Sequence, residues 1–232
     1  MLAFITGGSR GLGFATAQGL KEKGFELVLF AKDAERLEKS ATQLGANFEV
    51  VDLESIENAG RVFKDALTKY GIPDVLMLAH GVMSDRMSKT LKTDLKEWRR
   101  VLSINLDSVF EIVNVVGAPM AEKRLGRIII YSACLGRMSG PGNAGGLAPY
   151  RISKAGVNAL VRNLAHETGH GSRGLWVDAI CPNHSRTDMG GPDAPRSAAE
   201  GSETAIWLAT REVEPNKTLT GLLWEDREVV PW

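Results

Sequence analysis

Short apolar runs alternate with longer amphipathic stretches along almost the whole chain, and this alternation restricts the fold more than any other feature. The runs expected as strands are residues 2–6, 26–31, 47–52, 74–78, 127–132, 175–180 and 221–224. Between them, helical patterns are expected over residues 11–23, 33–44, 55–70, 95–123, 150–167 and 197–209. Strands that alternate with helices predict an α/β fold: one doubly wound Rossmann-type domain over residues 1–232, with a mostly parallel sheet and helices on both faces. In such sheets ligands bind outside the carboxyl ends of the strands, so the residues just after each strand are the ones to read for function.

The 232 residues suffice for one such domain with a full core. Lysine and arginine number 28 and aspartate and glutamate 28, so no global field draws the chain to nucleic acid or an anionic membrane. The N-terminal apolar run is too short for a signal peptide, and no later stretch reads as a membrane span. Two cysteines, Cys134 and Cys181, without a framework of spacings suggest a reducing compartment. The expectation is a cytoplasmic protein.

After the first strand comes TGGSRGLG, Thr6–Gly13. Its glycines permit a tight turn, and the helix behind it points free N–H groups at a phosphate. The second strand ends in Phe30-Ala31-Lys32 rather than in a carboxylate, and Arg10 lies in the glycine turn. Two cations and no acid at the strand tip favour the 2′-phosphate of NADP(H). Asp33 reads as the cap of the next helix. Asp52, after the third strand, either meets the adenine amino group or is another helix-start acid.

YRISK sets Tyr150 and Lys154 four residues apart, on one helical face. A nearby ammonium favours the phenolate and lowers a phenol's pKa, which suits proton exchange with an alkoxide. TGGSRGLG, Asp52, Asn105 in SINL, and YRISK together resemble the short-chain dehydrogenase/reductase family over essentially the whole chain. TDMGGPDAP and the ending WEDREVVPW resemble a carbonyl-reductase-like branch. The resemblance implies a seven-stranded sheet, a nicotinamide cofactor, and a catalytic set of Asn105, Ser132, Tyr150 and Lys154. Tyr150 would be the acid/base, Lys154 would also hold the nicotinamide ribose, and Asn105 would hold a water linked to Lys154. It also implies cofactor contacts at Gly7, Ser9, Arg10, Leu12, Gly13, Lys32, Asp52, Leu53, Gly81, Pro182 and Thr187, besides Tyr150 and Lys154. The expected activity is NADPH-dependent reduction of a ketone or aldehyde in a small molecule. The alternative is a dehydratase, isomerase or cyclase that keeps NADP(H) as a scaffold.

The chain also departs from the family pattern. Aligned on GRIII and Gly136, the usual serine falls on Ala133, and Ser132 is its neighbour. A local shift would be needed to turn Ser132 inward; Ser139, in the glycine-rich loop from Arg137 to Pro149, is the other hydroxyl within reach. Cys134 reads as a buried space-filling thiol. The pattern NNAG is replaced by Leu78-Ala79-His80-Gly81, and Pro-Gly by Pro182-Asn183-His184. His80 and His184 are either acid/base groups or hydrogen-bonded structural histidines.

HETGH, His166–His170, matches a zinc-protease pattern, but Gly169 and Gly171 signal a helix end and no third ligand is evident, so no metal is expected. The loop from Pro182 to Ala198 holds Pro192, Pro195 and Gly190-Gly191 and is either a lid carrying Met189 to the substrate or a rigid surface loop. Val109, Val113, Val116, Val157, Leu160 and Leu164 exceed one core-facing stripe. They belong either to a homodimer or homotetramer interface, as the resemblance implies, or to a deeper core.

Overall fold

The computed structural model describes residues 1–84, 89–142 and 144–232. Among the described residues eight strands form one sheet: β1 Leu2–Thr6, β2 Glu26–Ala31, β3 Asn47–Val50, β4 Val75–Leu78, β5 Gly126–Tyr131, β6 Leu175–Ile180, β7 Leu223–Glu225 and β8 Glu228–Val230. Their spatial order is β3-β2-β1-β4-β5-β6-β7-β8. All neighbours are parallel except β7 and β8, which form an antiparallel hairpin. The eighth strand corrects the expected seven. Asp226 and Arg227 both take positive φ, as a two-residue hairpin turn requires, and the chain folds back on itself. The Glu228–Val230 run is too short to read as a strand in advance.

The helices are α1 Gly11–Glu22, α2 Ala34–Leu44, α3 Ile56–Tyr70, a long rod α4 Leu95–Lys123, α5 Ala148–Glu167 and α6 Ala198–Thr210. Their starts follow the chemistry of orphan N–H groups. Asp33 accepts from the Arg36 amide at 3.0 Å, so it is the cap expected of it. Ser197 and Glu200 close a reciprocal capping box over α6. Pro149 opens α5, where a missing N–H costs nothing.

The rod α4 is not a uniform α-helix. Wider π turns interrupt it at Ser103–Asp107 and Val113–Gly117, the second just before Pro119, whose missing N–H a regular helix would leave uncompensated. By length and composition α4 could cross a bilayer, which corrects the expectation that no stretch could. Here Val101, Asn105, Ile112, Val116 and Met120 are buried in the protein's own core.

Two apolar layers flank the sheet. On one side Phe4, Phe30 and Leu76 pack with Phe63 of α3, Val116 of α4 and Val161 of α5. On the other, Ile5, Leu29 and Met77 pack with Leu20 of α1, Leu37 of α2 and Leu208 of α6. Val109, Val113, Val116 and Val157 are all buried, and Leu160 and Leu164 pack partly buried against them. Their excess over one stripe is therefore spent inside the chain. Chain order reverses between β1 and β4, and the carboxyl ends of these two strands open the crevice.

Candidate functional site

The glycine turn is held by close approach on both sides. Gly7 has φ +66°, and a Cβ there would stand 3.1 Å from the Ala79 oxygen at the tip of β4. At Gly13 a Cβ would stand 2.3 Å from the Gly7 oxygen, so α1 lies directly on the turn only because nothing fills that space. Ser9 is buried, its carbonyl accepting from Ser40 Oγ at 3.0 Å. Thr187 borders the same turn: a Cβ at Gly11 would come 3.2 Å from its methyl. The α1 N-terminus has no acidic residue in its first turn and no side-chain cap. These features fit a phosphate-bearing ligand.

At the adenosine end the charges are paired with one another. Lys32 Nζ donates to Asp52 Oδ2 at 2.6 Å, and Asp52 Oδ1 takes the Glu54 amide at 3.1 Å. Burial raises the Asp52 pKa, but these two hydrogen bonds outweigh it and hold the carboxyl below its ordinary value. Leu53, beside it, is buried. Arg10 donates to Asp188, and Arg36 Nη1 lies 3.6 Å from the same carboxylate oxygen. Neither Arg36 nor Asp188 was expected in the site. An ion pair 178 residues apart in sequence leaves no periodic signal.

Deeper in the crevice, Tyr150, Lys154 and Asn105 come together, all buried. Lys154 Nζ donates to the Tyr131 carbonyl at 2.7 Å and stands 5.9 Å from the centre of the Tyr150 ring. Burial alone brings its pKa down to about 8. The expected lowering of the Tyr150 pKa is not found. Desolvation raises it, and Cys181 and Cys134 add to the rise, so the phenol is firmly protonated in the open site. No hydrogen bond from another described residue occupies its hydroxyl.

Asn105 spends both amide protons, on the Val82 carbonyl at 2.8 Å and Ser153 Oγ at 3.0 Å, and its oxygen takes the Val82 amide at 2.8 Å. It therefore fixes the loop segment that passes Gly81. A Cβ at Gly81 would stand 3.4 Å from both Asn105 Oδ1 and Lys154 Nζ, so the glycine keeps a gap open between them. One ammonium proton of Lys154 is committed to Tyr131, which leaves two to meet hydroxyls entering the crevice. That donor set suits a ribose.

The sequence matches the family described as short chain dehydrogenase over residues 1–197. The chain belongs to the short-chain dehydrogenase/reductase family. It is 34% identical over 193 residues to the 3-oxoacyl-[acyl-carrier-protein] reductase FabG of Salmonella typhimurium, covering 81% of this chain and 75% of the relative. The FabG of Pseudomonas aeruginosa is also 34% identical, over 207 residues, 86% of this chain and 81% of that one. Among solved structures, one described as ribose-5-phosphate isomerase from Brucella melitensis 16M superposes with a TM-score of 0.85 at 26% identity, covering 97% of this chain and 89% of that one. The chain is thus an oxidoreductase of a family that works with a nicotinamide cofactor.

Several departures from the family pattern now have a structural account. Ser132 does not offer its hydroxyl to the crevice: Oγ donates to Asn158 Oδ1 at 2.5 Å, in the buried seam between β5 and α5. Ala133 packs instead with Tyr150, Leu147 and Val101 as an apolar wall. Ser139 does not reach in either, since its hydroxyl donates to the Trp232 carbonyl at 3.2 Å and ties its loop to the chain end.

His80 is a brace. Ser108 Oγ donates to the Ile104 carbonyl at 2.7 Å, so it accepts from His80 Nε2 at 2.9 Å, and Nδ1 takes the Thr6 hydroxyl at 2.6 Å. Burial and the charge of Lys154 push its pKa down to about 3, so the ring stays neutral. His184 is exposed and bonds the Gly190 carbonyl at 2.8 Å. That bond holds the loop after Pro182 in shape, together with Ser185 Oγ donating to the Pro182 carbonyl at 3.0 Å and the Arg186 amide donating to Arg196 at 2.7 Å.

In HETGH the helix ends at Glu167 and His170 takes φ +47°. The two imidazoles meet edge to face, 4.1 Å apart, and do not share a helical face. Among the described residues no group of three potential ligands surrounds them.

Proposed function

We propose that the chain is an NADPH-dependent reductase of a ketone or aldehyde in a small molecule, of the carbonyl-reductase-like kind. The observation that carries this reading is the buried Tyr150–Lys154 pair beside Gly81, facing a glycine turn shaped for phosphate. Bound, the cofactor supplies hydride to the carbonyl carbon. Tyr150 gives its phenolic proton to the oxygen as negative charge develops there, and its raised pKa keeps that proton in place until it is needed. Lys154 holds the ribose hydroxyls and, while charged, eases the loss of the tyrosine proton. Asn105 keeps Val82 and Gly81 in line with Lys154. Gly7, Ser9, Leu12 and Gly13 form the pyrophosphate turn; Arg10, Lys32 and Arg36 favour the 2′-phosphate; Asp52 and Leu53 border the adenine; Pro182 and Thr187 border the carboxamide. One NADP(H)-binding domain over residues 1–232, assembled as a homodimer or homotetramer in the cytoplasm, completes the reading.

Without a serine at position 133 the carbonyl oxygen meets one donor instead of two. Removing a comparable donor costs on the order of 10²–10³ in rate. This favours keeping a second reading, non-redox chemistry with the cofactor as a scaffold. The deciding experiment is NADPH oxidation against ketones, aldehydes, quinones and a 3-oxoacyl thioester, the last chosen because the relatives are named for it. The native protein is compared with Ala133→Ser. Turnover by the native protein, raised by the added serine, is the expected result. Activity only in Ala133→Ser would transfer the case to the non-redox reading.

A further inference from the structure

The tips of β5 and β6 bring the chain's two cysteines together. Tyr131 and Ile180 are the last paired residues of these strands, and the Ser132 amide still reaches the Ile180 carbonyl at 2.8 Å. Cys181 follows at once, its amide held by Trp224 at 2.8 Å. Past Ala133, a 3₁₀ turn over Cys134–Gly136 curls back, and the Cys134 amide donates to Cys181 Sγ at 3.0 Å. The two thiols also share a hydrogen bond with each other, so the sulfurs are direct neighbours. Cys181 is buried while Cys134 is only partly buried, so the pair has one thiol that a small oxidant can reach and one held behind it. The shared thiol hydrogen bond lowers the pKa of Cys134, which raises its thiolate fraction at neutral pH.

We propose that Cys134 and Cys181 are a redox-modification site that closes to an intramolecular disulfide when the partly buried Cys134 thiolate attacks hydrogen peroxide. The Cys134 thiolate displaces water from the peroxide, breaking the O–O bond and leaving a sulfenic acid. The Cys181 thiol then attacks that sulfur, the S–S bond forms, and a second water leaves. Two thiols lose two electrons and two protons, and the peroxide becomes two waters. The bond would lock the tip of β5, which carries Ala133 against Tyr150, to the tip of β6, which leads into Pro182. Both strand tips border the crevice, so a cross-link between them fixes its width.

The purified full chain is treated with a small excess of hydrogen peroxide, denatured, and its thiols counted. The count is expected to fall from two to zero and return with dithiothreitol. Non-reducing tryptic mapping is expected to join peptide 128–137 to peptide 174–186 with the loss of two hydrogens. In Cys181→Ala the sulfenic acid has no partner, so Cys134 is expected to advance to sulfinic acid. Disulfide-linked dimers, or sulfinic acid at Cys134 in the native chain with Cys181 still free, would overturn the proposal. This readout needs no turnover, so it stands or falls separately from the reductase reading.

Discussion

Lys154 is the residue whose environment differs most from what a lysine has in water. Its pKa of about 8 in the fold, against 10.5 for an unburied lysine, means that the unfolded chain alone holds this proton between those pH values. The unfolded state binds more protons there, so stability rises with pH through that window; below about pH 8 the folded chain carries the full cost of a buried charge. The shift is worth roughly 3 kcal/mol. Denaturation of the cofactor-free protein at pH 7.5 and pH 10, beside Lys154→Met, checks this. The native protein should gain roughly 2 kcal/mol on the variant over that interval, and a constant difference would mean the ammonium is not desolvated as described.

The i, i+4 spacing of Tyr150 and Lys154 was legible in the sequence because it is a property of one helix. The direction of the Tyr150 shift was not. It depends on Val101 and Ala133, which arrive from other elements and pack with the ring, and on the charges of the two thiols. His80 shows the same limit. Its replacement of a small residue was plain in the sequence, whereas its bonds to Thr6 and Ser108 come from β1 and α4.

At the scale of elements, the loop between β6 and α6 touches the adenosine side of the crevice through one residue. Asp188 sits on Arg10 of the glycine turn and beside Arg36 of α2, the two guanidinium groups nearest the site assigned to the 2′-phosphate. A carboxylate there competes with an incoming phosphate for the same donors. All three side chains are largely exposed, so each pairing is worth no more than about 1 kcal/mol. Asp188→Asn should therefore tighten binding of adenosine 2′,5′-bisphosphate roughly five-fold at low salt and leave 5′-AMP unchanged, measured by titration calorimetry. An equal effect on both nucleotides would show that Asp188 does not contest the 2′-phosphate.

The elements themselves were largely legible, since apolar periodicity sets where a strand or helix must lie and caps such as Asp33 set where it starts. The π turns of α4 were not. They conserve helical patterning while shifting register by one residue, so an apolar count passes over them.

For the whole molecule the open question is what covers the outer faces of α4 and α5. The valines that suggested an interface are inside the chain, which leaves other residues to make one. Phe110 of α4 is 55% exposed and Ile152 of α5 46%, on adjacent helices of one sheet face. Large apolar side chains left half in water on two neighbouring helices mark a surface that a second copy of the chain can cover. In a two-fold arrangement each substitution appears twice, so a charge at position 110 is buried or repelled on both sides of the axis. Phe110→Glu should convert the assembly to monomer in light scattering coupled to size exclusion while the far-ultraviolet circular dichroism stays native. Lys96→Ala, on the exposed first turns of the same helix, serves as the control that should leave the mass unchanged. Because α5 carries Tyr150 and Lys154 two residues to either side of Ile152, loss of the partner should also loosen the site and raise the KM for cofactor. If the native protein is already monomeric, Phe110 is an ordinary exposed side chain and the assembly must be struck from the reading. If Phe110→Glu stays assembled, the contact lies elsewhere, with the exposed edge of β8 the next surface to examine.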